Sequence, residues 1–294
     1  MVQHGAPVAA WRLGWWAPLP PPLDPASVVD PEVHGPLLAA AAAGSPLDPV
    51  GRSRLDGLKA AGLVDAGLRP RFPVVPAGGV APVRAAAQGL GAAAARLLAG
   101  EWSRIEVEHE PLRRAVPGRT GPAAAFLVVG GLLLELGVRR LLRREGLAAP
   151  PFGAPFVWLV EGDEGAAGLW TARCTQLPGR GWLIRFGRPG SAAWQAAEVE
   201  PEAAPALPPG REPALADLVD ALASPVARLV AESLPALERA RPRPPGEVPG
   251  AFLAWSYSLT VDATLTALAG RGLVEFPAEG AVAVRTAEPV LDAV

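Results

Sequence analysis

A chain of 294 residues, of which 50% are hydrophobic and 19% are charged, can bury a large core, so its composition excludes a globally disordered protein. The 27 Lys and Arg residues nearly balance the 29 Asp and Glu residues, and the net charge of −2 excludes an overall basic field that would attract nucleic acid. The single cysteine excludes an internal disulfide, and no secretory signal pattern is present, so the sequence predicts a cytoplasmic protein.

Residues 1–30 form a Pro-rich arm that carries three tryptophans, Trp11, Trp15 and Trp16. Its PLPPPLDP run is restricted to extended or polyproline II conformations. Because a free tail seldom carries so much aromatic surface, we expect the arm to lie over the body of the protein with its tryptophans docked. The alternative is an adhesive segment that awaits a partner.

Residues 31–100 are predicted to form helices and one short strand. Asp48 is a suitable N-cap, and Pro49 suits the first helical position after it. The strand is interrupted by prolines, so we place it at a sheet edge. The predicted elements are helices at 31–44, 48–64 and 80–100 and a strand at 68–76, and residues 101–116 are interpreted as helical.

The stretch Pro122–Gly146 is predicted to be one helix around which the rest of the chain is organised. Every residue of Phe126–Leu134 is apolar or glycine, and a helix that is apolar all round is buried. The uninterrupted apolar run Ala123–Leu134 has 12 residues, against the about 18 to 20 that span a bilayer. The sequence therefore predicts a core helix and no membrane partner.

Four arginines and a glycine pair mark this helix. Glu135 stands four residues before Arg139, the favourable order for an ion pair. Gly130 and Gly131 lower the helix propensity, so we expect another element to cross closely there. We interpret the arginine cluster as a solvated helix end in preference to a nucleic-acid contact. Its members are Arg139, Arg140, Arg143 and Arg144.

Three segments after this helix, at 156–162, 168–177 and 181–188, are predicted to form a three-stranded antiparallel meander covered by the helix. Aromatic and basic side chains recur on these strands, and they suit either ordinary core packing, which we favour, or a pocket for an anionic ligand. The candidate pocket residues are Trp158, Trp170, Trp182, Arg173 and Arg185.

The remaining chain is predicted to alternate linkers and helices. Pro-rich linkers stand at 201–213 and 240–250. Residues 214–240 form one helix or two, and we expect Ser224-Pro225 to divide them. A last long helix at 251–269 is followed by a strand, a turn at 278–280 and a second strand.

Three predicted helices end in Gly-Leu, at Gly62, Gly146 and Gly272. Glycine supplies the left-handed residue that ends a helix, and the leucine after it packs back on the last turn. Two of these stretches, RSRLDGLKAAGLVDAG and TLTALAGRGLVEFPAEGAVAVR, resemble the recognition helix and wing of winged-helix domains of the ArsR and MarR type. The shared pattern is a helix with core-facing leucines, a Gly-Leu-Val exit and a β-hairpin.

In that family the helix enters the major groove of DNA and the wing contacts phosphates. The segment from Arg52 to Arg71, which contains the first stretch, has five basic and two acidic residues and is therefore locally positive. The sequence departs from the family in the seven residues between Gly44 and Arg52, where the family has a whole helix. The resemblance implies contacts with double-stranded DNA through Arg52, Ser53, Arg54, Lys59, Arg69 and Arg71.

No motif of a catalytic or metal site occurs in the sequence. The three histidines, His4, His34 and His109, lack ligand spacing, and the lone Cys174 is predicted to be an inert buried thiol. No nucleophile elbow and no phosphate-binding loop is present. We therefore predict no metal and no cofactor, and we favour a binding protein over an enzyme.

The predicted fold is α+β and mostly helical, with winged-helix-like units around a buried central helix and the three-stranded meander. The leading hypothesis is a DNA-binding transcriptional regulator, either monomeric or homodimeric, with a sensing or dimerisation core at 122–188. Two alternatives stay open, a structural or interaction protein whose units only pack, and an enzyme or small-anion binder with a pocket over the sheet. The predicted segments are an arm at 1–30, a winged-helix-like module and Ala-rich helix at 31–100, the central helix and sheet at 101–200, linkers and helices at 201–250, and a second winged-helix-like module at 251–294.

Overall fold

The protein was analysed as a computed structural model, which confirms an α+β, mostly helical fold. The predicted turn at 278–280, most of the 201–213 linker and Trp170 lie outside the described residues. The structure describes residues 10–16, 24–107, 120–147, 156–162, 171–177, 181–187, 212–276 and 281–286.

Seven helices lie in these ranges, and they follow the predicted positions closely. The helix α4 (102–107) bears out the helical interpretation for the described part of the 101–116 segment, and residues 108–116 lie outside the described residues. The others are α1 (Pro31–Ala42), α2 (Pro49–Ala60), α3 (Ala77–Gly100), α5 (Gly121–Arg144), α6 (Glu212–Ala240) and α7 (Ala251–Ala269).

Six strands in the described ranges form two three-stranded sheets. In the first sheet, residues 156–161 form the central strand, which pairs antiparallel with residues 11–16 and parallel with residues 74–75. Residues 74–75 are an edge strand, as predicted. The second sheet is antiparallel throughout, in the order β4–β5–β6. The strands are β1 (Trp11–Trp16), β2 (Val74–Val75), β3 (Phe156–Glu161), β4 (Thr171–Leu177), β5 (Gly181–Gly187) and β6 (Ala281–Thr286).

The central strand β3 is buried on both faces and separates two hydrophobic clusters. Val157 and Leu159 face the cluster that contains Leu38, Leu55 and Phe72 of the α1–α2 region. The alternate residues of β3 face the helical side, where α3 and α7 supply the contacts. Because strand side chains alternate between faces, one strand joins both halves of the protein.

The predicted meander is wrong in its first strand, because β3 pairs with β1 and β2 and not with β4. A strand whose residues are nearly all apolar needs hydrophobic cover on both faces. At its two edges, β3 pairs with residues 11–16 of the N-terminal arm and with residues 74–75. The predicted C-terminal hairpin is also wrong. Residues 274–276 are not a strand, and β6 pairs with β5 instead.

The described residues 11–16 of the N-terminal arm dock on the protein as predicted, in the form of strand β1. The Trp11 side chain is buried, and Trp15 is half-buried. An added Cβ at Gly35 of α1 would stand 2.3 Å from Trp11 Cγ, so α1 carries a glycine where the indole ring lies. Residues 11–16 of the arm are therefore part of the first sheet.

Helix α5 is the centre of the largest hydrophobic cluster, and its central residues Leu127–Val138 have π-helical geometry. Its 24 residues are long and apolar enough, by length and composition alone, to cross a membrane, and 76% of its most apolar 18-residue window is buried inside this protein. The close crossing expected at the glycine pair is made by Phe186 of β5. An added Cβ at Gly130 would stand 2.2 Å from Phe186 Cε1.

The arginines of α5 are not all solvated, which corrects the sequence interpretation. Arg139 is buried with Glu135 in an ion pair, with Nε 2.8 Å from Oε2, and its Nη2 donates to Ser258 Oγ at 2.6 Å. Arg140 is also buried and pairs with Asp220 of α6. These contacts hold α5 to α6 and α7, because a buried charge must find a partner.

Helix α6 runs unbroken through Ser224-Pro225, so the expected division is wrong. Ser224 Oγ donates to the Asp220 carbonyl at 3.2 Å, one turn earlier. Val219, Ala223 and Val226 are buried against the central cluster on either side of the proline. Tertiary packing on a strongly one-sided helix therefore outweighs the local cost of proline.

The three Gly-Leu helix exits are confirmed. Gly62, Gly146 and Gly272 have φ values of 70°, 73° and 69°. In each case the next leucine donates its N–H to a carbonyl five residues earlier, at 2.9 to 3.1 Å. The leucines pack on the neighbouring clusters, as expected for this type of helix end.

Helices α3 and α7 approach each other closely at Gly91. An added Cβ there would stand 2.6 Å from Ala263 Cβ and 2.8 Å from the backbone nitrogen of Thr264. Gly89, two residues earlier on the same helix, has no such neighbour within 4 Å. The two glycines therefore form a matched pair for testing the crossing.

We expect Gly91→Ala to lower the free energy of unfolding by about 1–3 kcal/mol, because the added methyl meets the α7 backbone. Gly89→Ala should raise it by about 0.5–1 kcal/mol through helix propensity alone. Urea unfolding of both variants measures the difference. Equal effects of the two substitutions would contradict the close crossing.

Tyr257, the only tyrosine of the chain, gives a second test of the core. Its hydroxyl donates to the Leu134 carbonyl at 2.5 Å, and burial, with the charge of Glu135, raises its pKa well above 10.0. The neutral hydroxyl therefore contributes stability that is complete below the unfolded pKa of about 10 and is lost as pH rises through the folded pKa.

We expect the phenolate absorbance of the folded protein to stay low while pH passes 10, and to appear on unfolding at the same pH. Tyr257→Phe should remove the signal and flatten the fall of stability above pH 10. Phenolate formation near pH 10 without unfolding would show that this side chain is not buried.

Candidate nucleic-acid interface

Helices α1 and α2 form two successive helices joined by residues 43–48. Asp48 caps α2, because its Oδ1 accepts the Gly51 N–H at 2.6 Å and Pro49 takes the first helical position. An added Cβ at Gly51 would stand 3.1 Å from Leu37 Cδ2 of α1. The glycine therefore permits close contact between the two helices.

A short hairpin, residues 63–71, follows α2 directly. Arg71 donates its N–H to the Leu63 carbonyl at 3.0 Å, and Asp65 donates its N–H to the Arg69 carbonyl at 2.9 Å. The Asp65 carboxylate accepts the N–H groups of Gly67 and Arg69 at 2.9 and 2.8 Å. The turn therefore holds its acidic side chain with backbone hydrogen bonds.

The α1–α2–hairpin unit is fixed to the rest of the protein through one hydrophobic cluster. Leu55 and Leu58 of α2 and Val64 and Phe72 of the hairpin region are buried together. They pack against β3 on the face opposite the helical core. The other surface of the unit is left to solvent.

All six side chains predicted to contact DNA are exposed on this unit. Arg52 Nε donates to the Leu47 carbonyl at 3.0 Å, a neutral acceptor that leaves its charge in place. Among the described residues, none of the five cations forms an ion pair with a carboxylate. We call the set Arg52, Ser53, Arg54, Lys59, Arg69 and Arg71 the basic surface.

The basic surface has a defined layout along α2. Because a helix has about 3.6 residues per turn, Ser53, Gly57 and Ala60 share the side opposite the buried leucines. Arg52 and Lys59, seven residues apart, flank this small-residue side on one edge, and Arg54 flanks it on the other. The exposed side of α2 thus has small side chains along its middle and cations along both edges.

On the hairpin, Arg69 and Arg71 alternate with buried Pro70 and Phe72, so both arginines lie on the outer face. Asp65 is the one carboxylate of the hairpin, and its Oδ1 accepts two backbone N–H groups of the turn. Asp56 of α2 is exposed and shares the edge of Arg52. The surface therefore remains positive in sum.

The second predicted site, the aromatic pocket, is not assembled as expected. Trp158 belongs to β3 of the first sheet and is buried in the cluster with Trp255. Arg173, Trp182 and Arg185 belong to β4 and β5 of the second sheet, and Trp170 lies outside the described residues. Trp158 therefore does not share a sheet with Arg173, Trp182 and Arg185, because β3 pairs with β1 and β2.

The sequence interpretation missed the contribution of the 240–250 linker. The Val248 N–H donates to the Arg71 carbonyl at 2.8 Å, so the linker adjoins the hairpin. The signal that could have found it is the pair of arginines spaced by proline, Arg241 and Arg243, in a segment interpreted only as a connection.

In the part of the chain that the structure describes, no group of three or more His, Cys, Asp or Glu side chains could hold a metal ion. Comparison of the chain with protein-family models, with curated proteins and with solved structures finds no match.

The Asp65 hydrogen bonds can be tested directly. Asp65→Ala should lower the free energy of unfolding by about 1–2 kcal/mol, because two backbone donors of the turn lose their acceptor. Asp65→Asn keeps an oxygen acceptor and tolerates the turn, so it should lose much less. Urea unfolding gives the order, and equal losses for the two variants would contradict this role.

Proposed function

We propose that the protein binds double-stranded DNA through the basic surface of α2 and the hairpin. The observation that carries this proposal is the placement of five exposed cations on one rigid unit, without a carboxylate partner among the described residues. Affinity for DNA comes mainly from the neutralisation of phosphates by Lys and Arg, with release of counterions. Because the net charge of the chain is −2, attraction to DNA has to come from a locally positive surface such as this one.

The order of elements supports a winged-helix mode of binding. Helix α1 precedes α2 across a six-residue connection, 43–48, and a hairpin follows α2 at once. In winged-helix proteins, which this unit resembles, the second helix of the pair lies in the major groove and the hairpin contacts the DNA backbone. We assign α2 to the groove and the hairpin to the phosphates.

The side chains of α2 suit both kinds of contact. Ser53, Gly57 and Ala60 are small, so the helix backbone can approach the base edges closely. Arg52 and Arg54, which flank this side of the helix, suit phosphate contacts, and Asp56 can accept from the cytosine amino group. Lys59, Arg69 and Arg71 suit phosphate contacts, which position the protein without reading sequence. Transcriptional regulation is the role that such binding serves best.

The competing hypothesis is a structural protein whose helices and hairpin only pack. It expects Arg52 and Arg71 to pair with carboxylates of the same chain. In the described ranges, Arg52 contacts a backbone carbonyl, and only the backbone of Arg71 is engaged. The geometry therefore favours DNA binding over a purely structural role.

The test is a binding titration of wild type and Arg52→Ala/Arg54→Ala on a random duplex, as a function of salt. Wild type should bind with strongly salt-dependent affinity, and the double variant should flatten the slope of log K against log salt by about 1.8, at about 0.9 per phosphate contact.

The matched control is Arg96→Ala/Arg228→Ala, which removes the same charge from exposed positions of α3 and α6. The control should bind as wild type does. If wild type shows no salt-sensitive binding, or if both double variants lose affinity equally, the basic surface is not a DNA interface.

A further inference from the structure

The Pro-rich segment between α6 and α7, residues 241–250, runs alongside the second arm of the hairpin. The Val248 N–H donates to the Arg71 carbonyl at 2.8 Å, while the Arg71 N–H donates to Leu63 on the other side. An added Cβ at Gly246 would stand 3.4 Å from Asp65 Oδ2. The segment therefore lies beside the hairpin as a third stretch of the same polypeptide.

A buried ion pair fixes the conformation of this segment. Arg241 forms two hydrogen bonds with the carboxylate of Glu247, whose side chain is fully buried. The Arg241 guanidinium also stacks over the Phe252 ring, 4.0 Å from its centroid. Prolines restrict φ at four positions of the segment. The only carboxylate of residues 241–250 is thus already neutralised.

Arg243 is the exposed cation of this segment, and the same peptide group that contacts the hairpin orients it. Its Nη2 donates to the Glu247 carbonyl at 3.1 Å. The N–H of that peptide group belongs to Val248 and binds Arg71. Because the N–H and C=O of a trans peptide group point in opposite directions, the guanidinium lies on the side of the segment away from the hairpin arm. It keeps its full charge, because its acceptor is neutral and the bond uses one of five donors.

We propose that Arg243 is a phosphate-contacting residue that extends the DNA interface from the hairpin onto the inter-helix segment. This role presupposes the duplex binding proposed above. An arginine held at a fixed position can bind phosphate oxygens in a bidentate way with less loss of side-chain freedom than a free one. The segment would add one backbone contact beyond those of α2 and the hairpin.

The test compares Arg243→Ala, Arg243→Lys and the control Arg228→Ala in the full chain, on the random duplex over a range of salt concentrations. Arg243→Ala should flatten the slope of log K against log salt by about 0.9, the value for one phosphate. Arg243→Lys keeps the charge and should keep most of the slope. Arg228→Ala should behave as wild type, and thermal unfolding checks that each variant is folded.

Two results would overturn the proposal in distinguishable ways. If Arg243→Ala matches Arg228→Ala while Arg52→Ala/Arg54→Ala flattens the slope, DNA binding stands and Arg243 has no part in it. If wild type itself shows no salt-sensitive binding, both the contact of Arg243 and the function of the basic surface fall together.

Discussion

The burial of β3 on both faces is the constraint on which the architecture depends. Its odd and even residues enter different hydrophobic clusters, one beneath the α1–α2–hairpin unit and one beneath α3 and α7. The strand therefore cannot shift by one residue without reversing every contact. This fixes the basic surface relative to the helical core, and it also explains why the N-terminal arm is ordered as β1.

On the helical side, buried ion pairs select one arrangement of the helices, which apolar packing alone would specify less strictly. Glu135, Arg139 and Ser258 form a hydrogen-bonded group inside the largest cluster, and Arg140 pairs with Asp220. Such pairs contribute little net stability, yet removal of one partner is costly, so they select one arrangement of α5, α6 and α7. The contrast with the basic surface is informative: Arg139 and Arg140 pair with carboxylates, whereas the arginines of α2 and the hairpin form no ion pair with a carboxylate of the described residues.

Local signals predicted much of this fold. Asp48 with Pro49, the three Gly-Leu exits and the apolar run of α5 each have a short-range physical cause, and each is confirmed. Strand pairing was not predictable, because the partners of β3 lie more than 80 residues away in the chain. For the same reason Trp158 was assigned to the wrong sheet, whereas the exposed residues of α2 followed from helical spacing. The position of residues 241–250 beside the hairpin depends on a tertiary contact, for which the proline-spaced Arg241 and Arg243 are the one local signal.

The central claim is that duplex DNA docks on α2 and the hairpin. Amide chemical-shift mapping with isotope-labelled protein tests it most directly, during titration with a short duplex at low salt. The account predicts shifts concentrated at 49–60 and 63–71, with a smaller group at 241–250, and their reversal on addition of salt. Shifts confined to other surfaces, or no shifts at all, would contradict it.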